Sequence, residues 1–170
     1  MSKNPGKQFE EDFIKSIPDK CDVTRLIDAG GWSGGEPGEG GKQRFTPTHP
    51  CDFIVFSPRL YSCHLGIQYK LELKSTLGKS LPLGNIKPSD EKRLKFVGKL
   101  VASENRGVKA GFVINFRATN ETFFVMASKI AAFIKAAERA SIPIAWFREH
   151  GRLIEQKLKK VHYGYDLEWL

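Results

Sequence analysis

Two short apolar runs constrain this chain most: Pro50-Cys51-Asp52-Phe53-Ile54-Val55-Phe56 and Tyr69-Lys70-Leu71-Glu72-Leu73-Lys74-Ser75. Both are rich in aromatic or branched residues and bounded by Pro or Ser, the pattern of β-strands. Strand side chains alternate between two faces. In the second run Tyr69, Leu71 and Leu73 share one face, and Lys70, Glu72 and Lys74 share the other. In the first, Asp52 falls on the face of Ile54 and Phe56. If the two strands are neighbours, one carboxylate meets a Glu-x-Lys pair. Two carboxylates suit a hard cation such as Mg²⁺, which takes oxygen ligands and keeps several waters. A lysine beside them can orient water or stabilise charge on a phosphate. The competing reading is a half-exposed strand with a solvated acidic and basic face, because Asp followed by Glu-x-Lys is frequent by chance.

The rest of the chain bears on that choice. Its 170 residues are expected to form one domain, 1–170, with a substantial core. No apolar run is long enough to span a bilayer, and the first residues precede no apolar stretch. No signal peptide, no membrane partner and a cytoplasmic location are therefore expected. The net charge of +8 and a pI near 9.4 favour a polyanionic partner, nucleic acid above all, over a merely solvated basic surface. Cys21, Cys51 and Cys63 are odd in number and irregular in spacing, which argues against a disulfide framework. His49, Cys51, Cys63 and His64 lack the Cys-x-x-Cys spacing that would point to zinc.

Periodicity sets out the elements. Residues 8–17 read as a helix on Phe9, Phe13 and Ile17, ended by Pro18. Residues 22–28 form a short strand pattern. Residues 29–41 hold seven glycines, too many for regular structure without a large entropic cost. They read as a long flexible insertion, 29–48 with its basic continuation, which is not a phosphate-binding Walker loop. Residues 76–88 read as a loop. Ser89 caps a helix to about residue 104, with Leu94, Val97, Leu100 and Val101 buried and Lys92, Arg93, Lys95 and Lys99 on the remaining surface. Residues 108–116 and 122–126 form a strand hairpin, and Ser128 caps a helix to about residue 140. A short helix at 144–149 and an edge strand at 152–158 follow. The apolar end, Tyr165 to Leu170, should pack on the core or on a second copy. The fold class is α/β, a mixed central sheet flanked by helices.

These segments, in order, resemble a known family. Asn4-x-Gly6-x-x-Phe9-Glu10 opens the chain, Cys51-Asp52-Phe53 and Leu71-Glu72-Leu73-Lys74 follow, and Ser80-Leu81-Pro82-Leu83-x-Asn85-Ile86 leads into a basic helix and a Gly-Phe-Val-Ile strand. The chain resembles the RecU-type Holliday junction resolvases of the PD-(D/E)XK nuclease superfamily. The resemblance implies a restriction-endonuclease-like core with a protruding stalk where the glycine-rich stretch lies. It implies a Mg²⁺-dependent endonuclease, with Mn²⁺ able to substitute, acting as a homodimer on four-way junction DNA in a bacterial or phage-infected cell. Carried over by position, Asp52 and Glu72 match the metal carboxylates, with the Leu73 carbonyl as a further ligand. Lys74 matches the catalytic lysine, and Glu10 the first-helix glutamate. Lys42, Arg44, Lys79, Lys92, Arg93, Lys95 and Lys99 are the expected DNA contacts. Pro50 stands where many members carry threonine, with Thr48 nearby. The rivals are a duplex-cutting nuclease of the same superfamily and a non-catalytic DNA-binding accessory module.

Overall fold

The computed structural model describes residues 4–26, 51–58 and 66–170. The glycine-rich stretch, Lys42, Arg44, Thr48, Pro50 and three members of the hypothetical zinc set (His49, Cys63 and His64) lie outside them.

The first helix, α1 (Pro5–Ile14), starts earlier than the apolar spacing predicts. The signal is local. The Asn4 side chain accepts a hydrogen bond from the Gly6 N–H, and Pro5 fills the first helical position, where its missing N–H costs nothing. Strands β1 (Asp22–Arg25), β2 (Phe53–Ser57) and β3 (Ile67–Thr76) follow. The expected loop after β3 contains a short strand, β4 (Ser80–Pro82), and a 3₁₀ turn at Leu83–Asn85. Ser89 does cap α2 (Asp90–Glu104), accepting from the Lys92 N–H. The buried stripe of α2 is Arg93, Phe96, Val97, Leu100 and Ser103, whereas Leu94 is exposed.

Strands β5 (Lys109–Phe116) and β6 (Glu121–Met126) pair as the expected hairpin. Helix α3 (Ala127–Ala136) begins one residue before Ser128 and stops short of residue 140. Its start is served by α2 instead of a local cap: the Ser128 N–H donates to the Glu104 carboxylate. Then come β7 (Ser141–Pro143), α4 (Ile144–His150), β8 (Arg152–Ile154), β9 (Gln156–Lys159) and β10 (His162–Tyr165). The expected edge strand is thus two strands, one in the main sheet and one in a separate hairpin with β10.

The main sheet runs β1-β2-β3-β5-β6-β8. Only β3 and β5 are parallel in it; the rest are antiparallel, so the sheet is mixed. The β3-to-β5 connection carries α2, as a parallel pair requires a crossover. Each face has its own core. Phe96, Val97 and Leu100 of α2, Ile130 of α3 and Phe147 of α4 cover Phe112, Ile114 and Phe116 on one face. Phe9 and Phe13 of α1, with Tyr165, Leu167 and Leu170, cover Leu71, Leu73 and Val113 on the other. No described helix is long and apolar enough to cross a membrane.

Candidate active site

The site is built by the register between β2 and β3. Phe53 faces Leu71 and Ile54 faces Lys70 in an antiparallel ladder, so Asp52, one residue before β2, arrives opposite Glu72. The backbone closes that corner: the Asp52 N–H donates to the Leu71 carbonyl at 3.0 Å. The Asp52 carboxylate in turn accepts from the Leu73 N–H at 2.7 Å. Leu73 therefore serves the site through its N–H, a contact that residue spacing alone did not reveal.

Alternation puts Glu72 and Lys74 together on the α2 side of the sheet, and Lys74 Nζ donates to Glu72 Oε1 at 2.6 Å. This face is not solvated. Glu72 is only 4% exposed and Lys74 is half-buried. The reading of a plain solvated strand face therefore fails, because a carboxylate this buried needs a specific partner. Burial pushes the Glu72 carboxyl up to about 7, and Asp52 adds repulsion; Lys74 and, more weakly, Lys87 oppose the rise. Burial by itself would lower the Lys74 ammonium, but Glu72, Asp52 and Glu10 outweigh it and raise its pKa.

Glu10 reaches the same field from α1. Its pKa is raised, first by burial and then by Asp52, while Arg25 and Lys74 pull it down. Arg25 holds it directly, with Nη2 2.7 Å from Glu10 Oε2. Arg25 is there because β1 pairs with β2 and sets Arg25 opposite Phe53, next to Asp52. Sequence spacing carries no sign of that, since the segment joining the two strands is long. Lys87 was missed for a similar reason. It lies in the turn before α2, with its ammonium 4.5 Å above the Phe96 ring. That ring packs edge-on to Phe112, whose position in β5 is opposite Glu72.

Among the described residues no three or more His, Cys, Asp or Glu side chains are grouped to hold a metal ion. The hard donors that the β2–β3 register brings opposite each other are the carboxylates of Asp52 and Glu72, a small set that leaves positions for water. That matches how Mg²⁺ is usually held. The chemistry of the donor set fits a cation on a second count. Glu72 keeps a raised pKa even with Lys74 against it, so positive charge is under-supplied at this buried carboxyl. The Cys51 thiol beside them is pushed up to about 12 by burial.

The expected DNA contacts separate. Lys92, Lys95 and Lys99 are exposed along one side of α2, and Lys79 is exposed before β4. Arg93 points inward, at 6% exposure. Its guanidinium bonds the Leu83 carbonyl at 2.9 Å, the Lys87 carbonyl at 3.1 Å and the Asp90 carboxylate. Arg93 is thus spent on fixing the turn that carries Lys87, and the expectation that it faces DNA is corrected.

Comparison with known proteins completes the description. The family model "RecU: Recombination protein U" matches residues 61–166, a span that includes Glu72 and Lys74. A "SPbeta prophage-derived uncharacterized protein YotM" from Bacillus subtilis (strain 168) is 32% identical over 188 residues, covering 99% of this chain and 86% of that protein. A strand-register site of this kind, a family match over more than half of the chain and a relative aligned nearly end to end agree: the chain belongs to the RecU family of recombination nucleases, the Holliday junction resolvase family that its sequence resembles.

Proposed function

We propose that this protein is a Mg²⁺-dependent endonuclease that nicks four-way DNA junctions as a homodimer in the cytoplasm of a bacterial cell, with Asp52, Glu72, Lys74 and Glu10 as its working residues. The observation that carries the reading is the buried Glu72 carboxylate, bonded to Lys74 and set opposite Asp52 by strand register. Asp52 and Glu72 would hold the cation, with the Leu73 carbonyl as a further ligand. A bound Mg²⁺ would supply Lewis-acid chemistry, acidifying water and neutralising phosphate oxygens.

Hydrolysis adds a water oxygen to phosphorus and breaks one P–O ester bond, and the departing oxygen takes up a proton. Lys74, bonded to Glu72, would orient the attacking water or bind the phosphate oxygen on which charge builds. Asp52 is pre-set by the Leu73 N–H, so its carboxylate does not have to reorganise when DNA arrives. Glu10 sits across from Asp52 and can accept a hydrogen bond from water in the site. Lys79, Lys92, Lys95 and Lys99, with Lys42 and Arg44, would grip phosphates, so selectivity would come from shape and not from base edges.

The test is nicking of a synthetic four-way junction, with and without Mg²⁺, beside a linear duplex of the same sequence. Asp52→Asn and Lys74→Ala should each cut at least 100-fold more slowly than the parent, in line with the loss of a group acting in the transition state. Nicking by either variant at the parent rate would remove the site assignment. Equal cutting of duplex and junction would remove junction selectivity.

A further inference from the structure

The β9–β10 hairpin carries charge for which the fold has no use. Lys157, Lys159 and Lys160 are exposed, and none has an ion-pair partner among the described residues. Leu158 and Val161 beside them are 62% and 71% exposed, so the outer face of the hairpin buries no apolar surface. Lys15, at the end of α1, joins Lys157 and Lys159 around a cavity of about 370 Å³ between the helix and the hairpin. The acids of that cavity are Glu155 and Asp166, and Asp166 already accepts from the Glu168 N–H. The Lys159 side chain lies close over Gly164, whose missing Cβ would be 2.8 Å from Lys159 Cε.

The turn adds an independent sign. Lys159 pairs with His162, so Lys160 and Val161 form a two-residue turn, and Lys160 has φ 55°. Glycine and asparagine are the cheap residues in that left-handed conformation, and a lysine costs about 1 kcal/mol there. The β5–β6 turn makes the cheap choice, with Asn120 at φ 57°. A strained residue at an exposed tip is a pointer to function.

The hairpin is also held rigidly. Gln8 Nε2 donates to the Val161 carbonyl at 3.0 Å. The Asp12 carboxylate lies 2.7 Å from His162 Nδ1 and accepts from the Tyr163 N–H at 3.0 Å. Ser16 Oγ accepts from the Tyr165 N–H at 3.0 Å. Gln8 and Asp12 lie one turn apart on the same side of α1, and Ser16 follows in the turn just after the helix, so α1 and its C-terminal turn carry all three attachments. The same helix carries Glu10. The hairpin lies with α1 against one face of the sheet, and the α2 lysines belong to the other.

We propose that the β9–β10 hairpin is a second contact for the phosphate backbone of DNA, gripping an arm of the substrate other than the one held by α2. This rests on the reading of the protein as a DNA junction enzyme. The contact is between ammonium groups and phosphates and releases counterions, so it reads no sequence. The hairpin and the α2 lysines lie on opposite faces of the sheet, and a branched substrate has separate arms to offer to each.

The experiment is fluorescence anisotropy with a four-way junction and with one isolated duplex arm, across a salt series. The proteins are the parent, the triple variant Lys157→Ala/Lys159→Ala/Lys160→Ala and the triple variant Lys92→Ala/Lys95→Ala/Lys99→Ala. The hairpin variant should bind the junction about tenfold or more weakly, and its salt slope should be shallower by up to about 2.7, roughly 0.9 for each phosphate no longer neutralised. Its loss of affinity for the duplex should be smaller. Junction binding should also shield Lys157, Lys159 and Lys160 of the parent from acetylation. A parent that binds neither DNA overturns the junction-enzyme reading and this one with it. A parent that binds, with a hairpin variant matching it in affinity and slope, overturns the hairpin alone. Equal weakening on junction and duplex places both surfaces on one arm and overturns the separate contact. Unchanged DNA affinity with abolished binding to anionic vesicles would assign the hairpin to a lipid surface instead.

Discussion

Glu72 is the residue whose chemistry is most exposed to measurement. Its folded-state pKa of about 7 is above the ordinary 4.5, chiefly through burial. The folded protein therefore binds this proton more tightly than the unfolded chain between those values. The contribution of Glu72 to stability is complete below about pH 4.5, declines as pH rises through 7, and is constant above. A tenfold change in proton affinity is worth about 1.4 kcal/mol, so the charged carboxyl costs the metal-free fold on the order of 3 kcal/mol at pH 8. Urea unfolding in the presence of a chelator should show the parent losing stability between pH 5 and pH 8 relative to Glu72→Gln. Adding Mg²⁺ at pH 8 should recover stability in the parent and not in the variant. Parallel pH dependences would mean that Glu72 is not a strained carboxyl. That Glu72 and Lys74 share a face was legible in the sequence, because period two forces i and i+2 onto one face, whereas Asp52 joins them only through the β2–β3 pairing, which the sequence left as a condition. Arg25 and Lys87 were not legible, because strand register and a cation–π seat bring them in, and neither leaves a spacing to read.

At the level of the element, α2 shows what a count of charges conceals. Its four cations, Lys92, Arg93, Lys95 and Lys99, look alike in sequence, yet Arg93 lies in the row of Phe96, Val97 and Leu100. Helical spacing of three and four contains that information, and the charge of the residue masks it. Arg93→Ala would leave the carbonyls it serves short of a donor in a buried place and should cost about 2–4 kcal/mol in urea unfolding. Lys95→Ala, on the exposed side, should change stability by less than about 0.5 kcal/mol while weakening DNA binding. An Arg93→Ala variant of unchanged stability with reduced DNA affinity would restore the outward orientation. The caps divide in the same way. Ser89 announced α2 because it bonds its own helix, whereas the cap of α3 comes from Glu104 of a different helix.

Taken as a whole, the molecule is a sheet with a core on each face, and the second core depends on the last residues of the chain. Leu167 and Leu170 are buried, and Trp169 packs on Tyr69 at 5.6 Å and on Phe124 at 5.2 Å. The Tyr69 hydroxyl donates to the Trp169 carbonyl, which fixes the segment over β3. Sequence alone left two places for this apolar end, the core or a second copy, because hydrophobicity is not directional. The structure puts it on the core, over the strand that presents Glu72 and Lys74 on its other face. Leu170→Ala should therefore cost about 2–5 kcal/mol, the usual range for a leucine truncated in a packed interior. For a domain of this size that lowers the melting temperature by roughly 2–4 °C for each kcal/mol. The drop should be the same at low and high protein concentration, since the contact is within one chain. Leu158→Ala on the exposed hairpin should stay within about 0.5 kcal/mol. A drop for Leu170→Ala that grows with dilution would instead show the end of the chain buried against a partner copy.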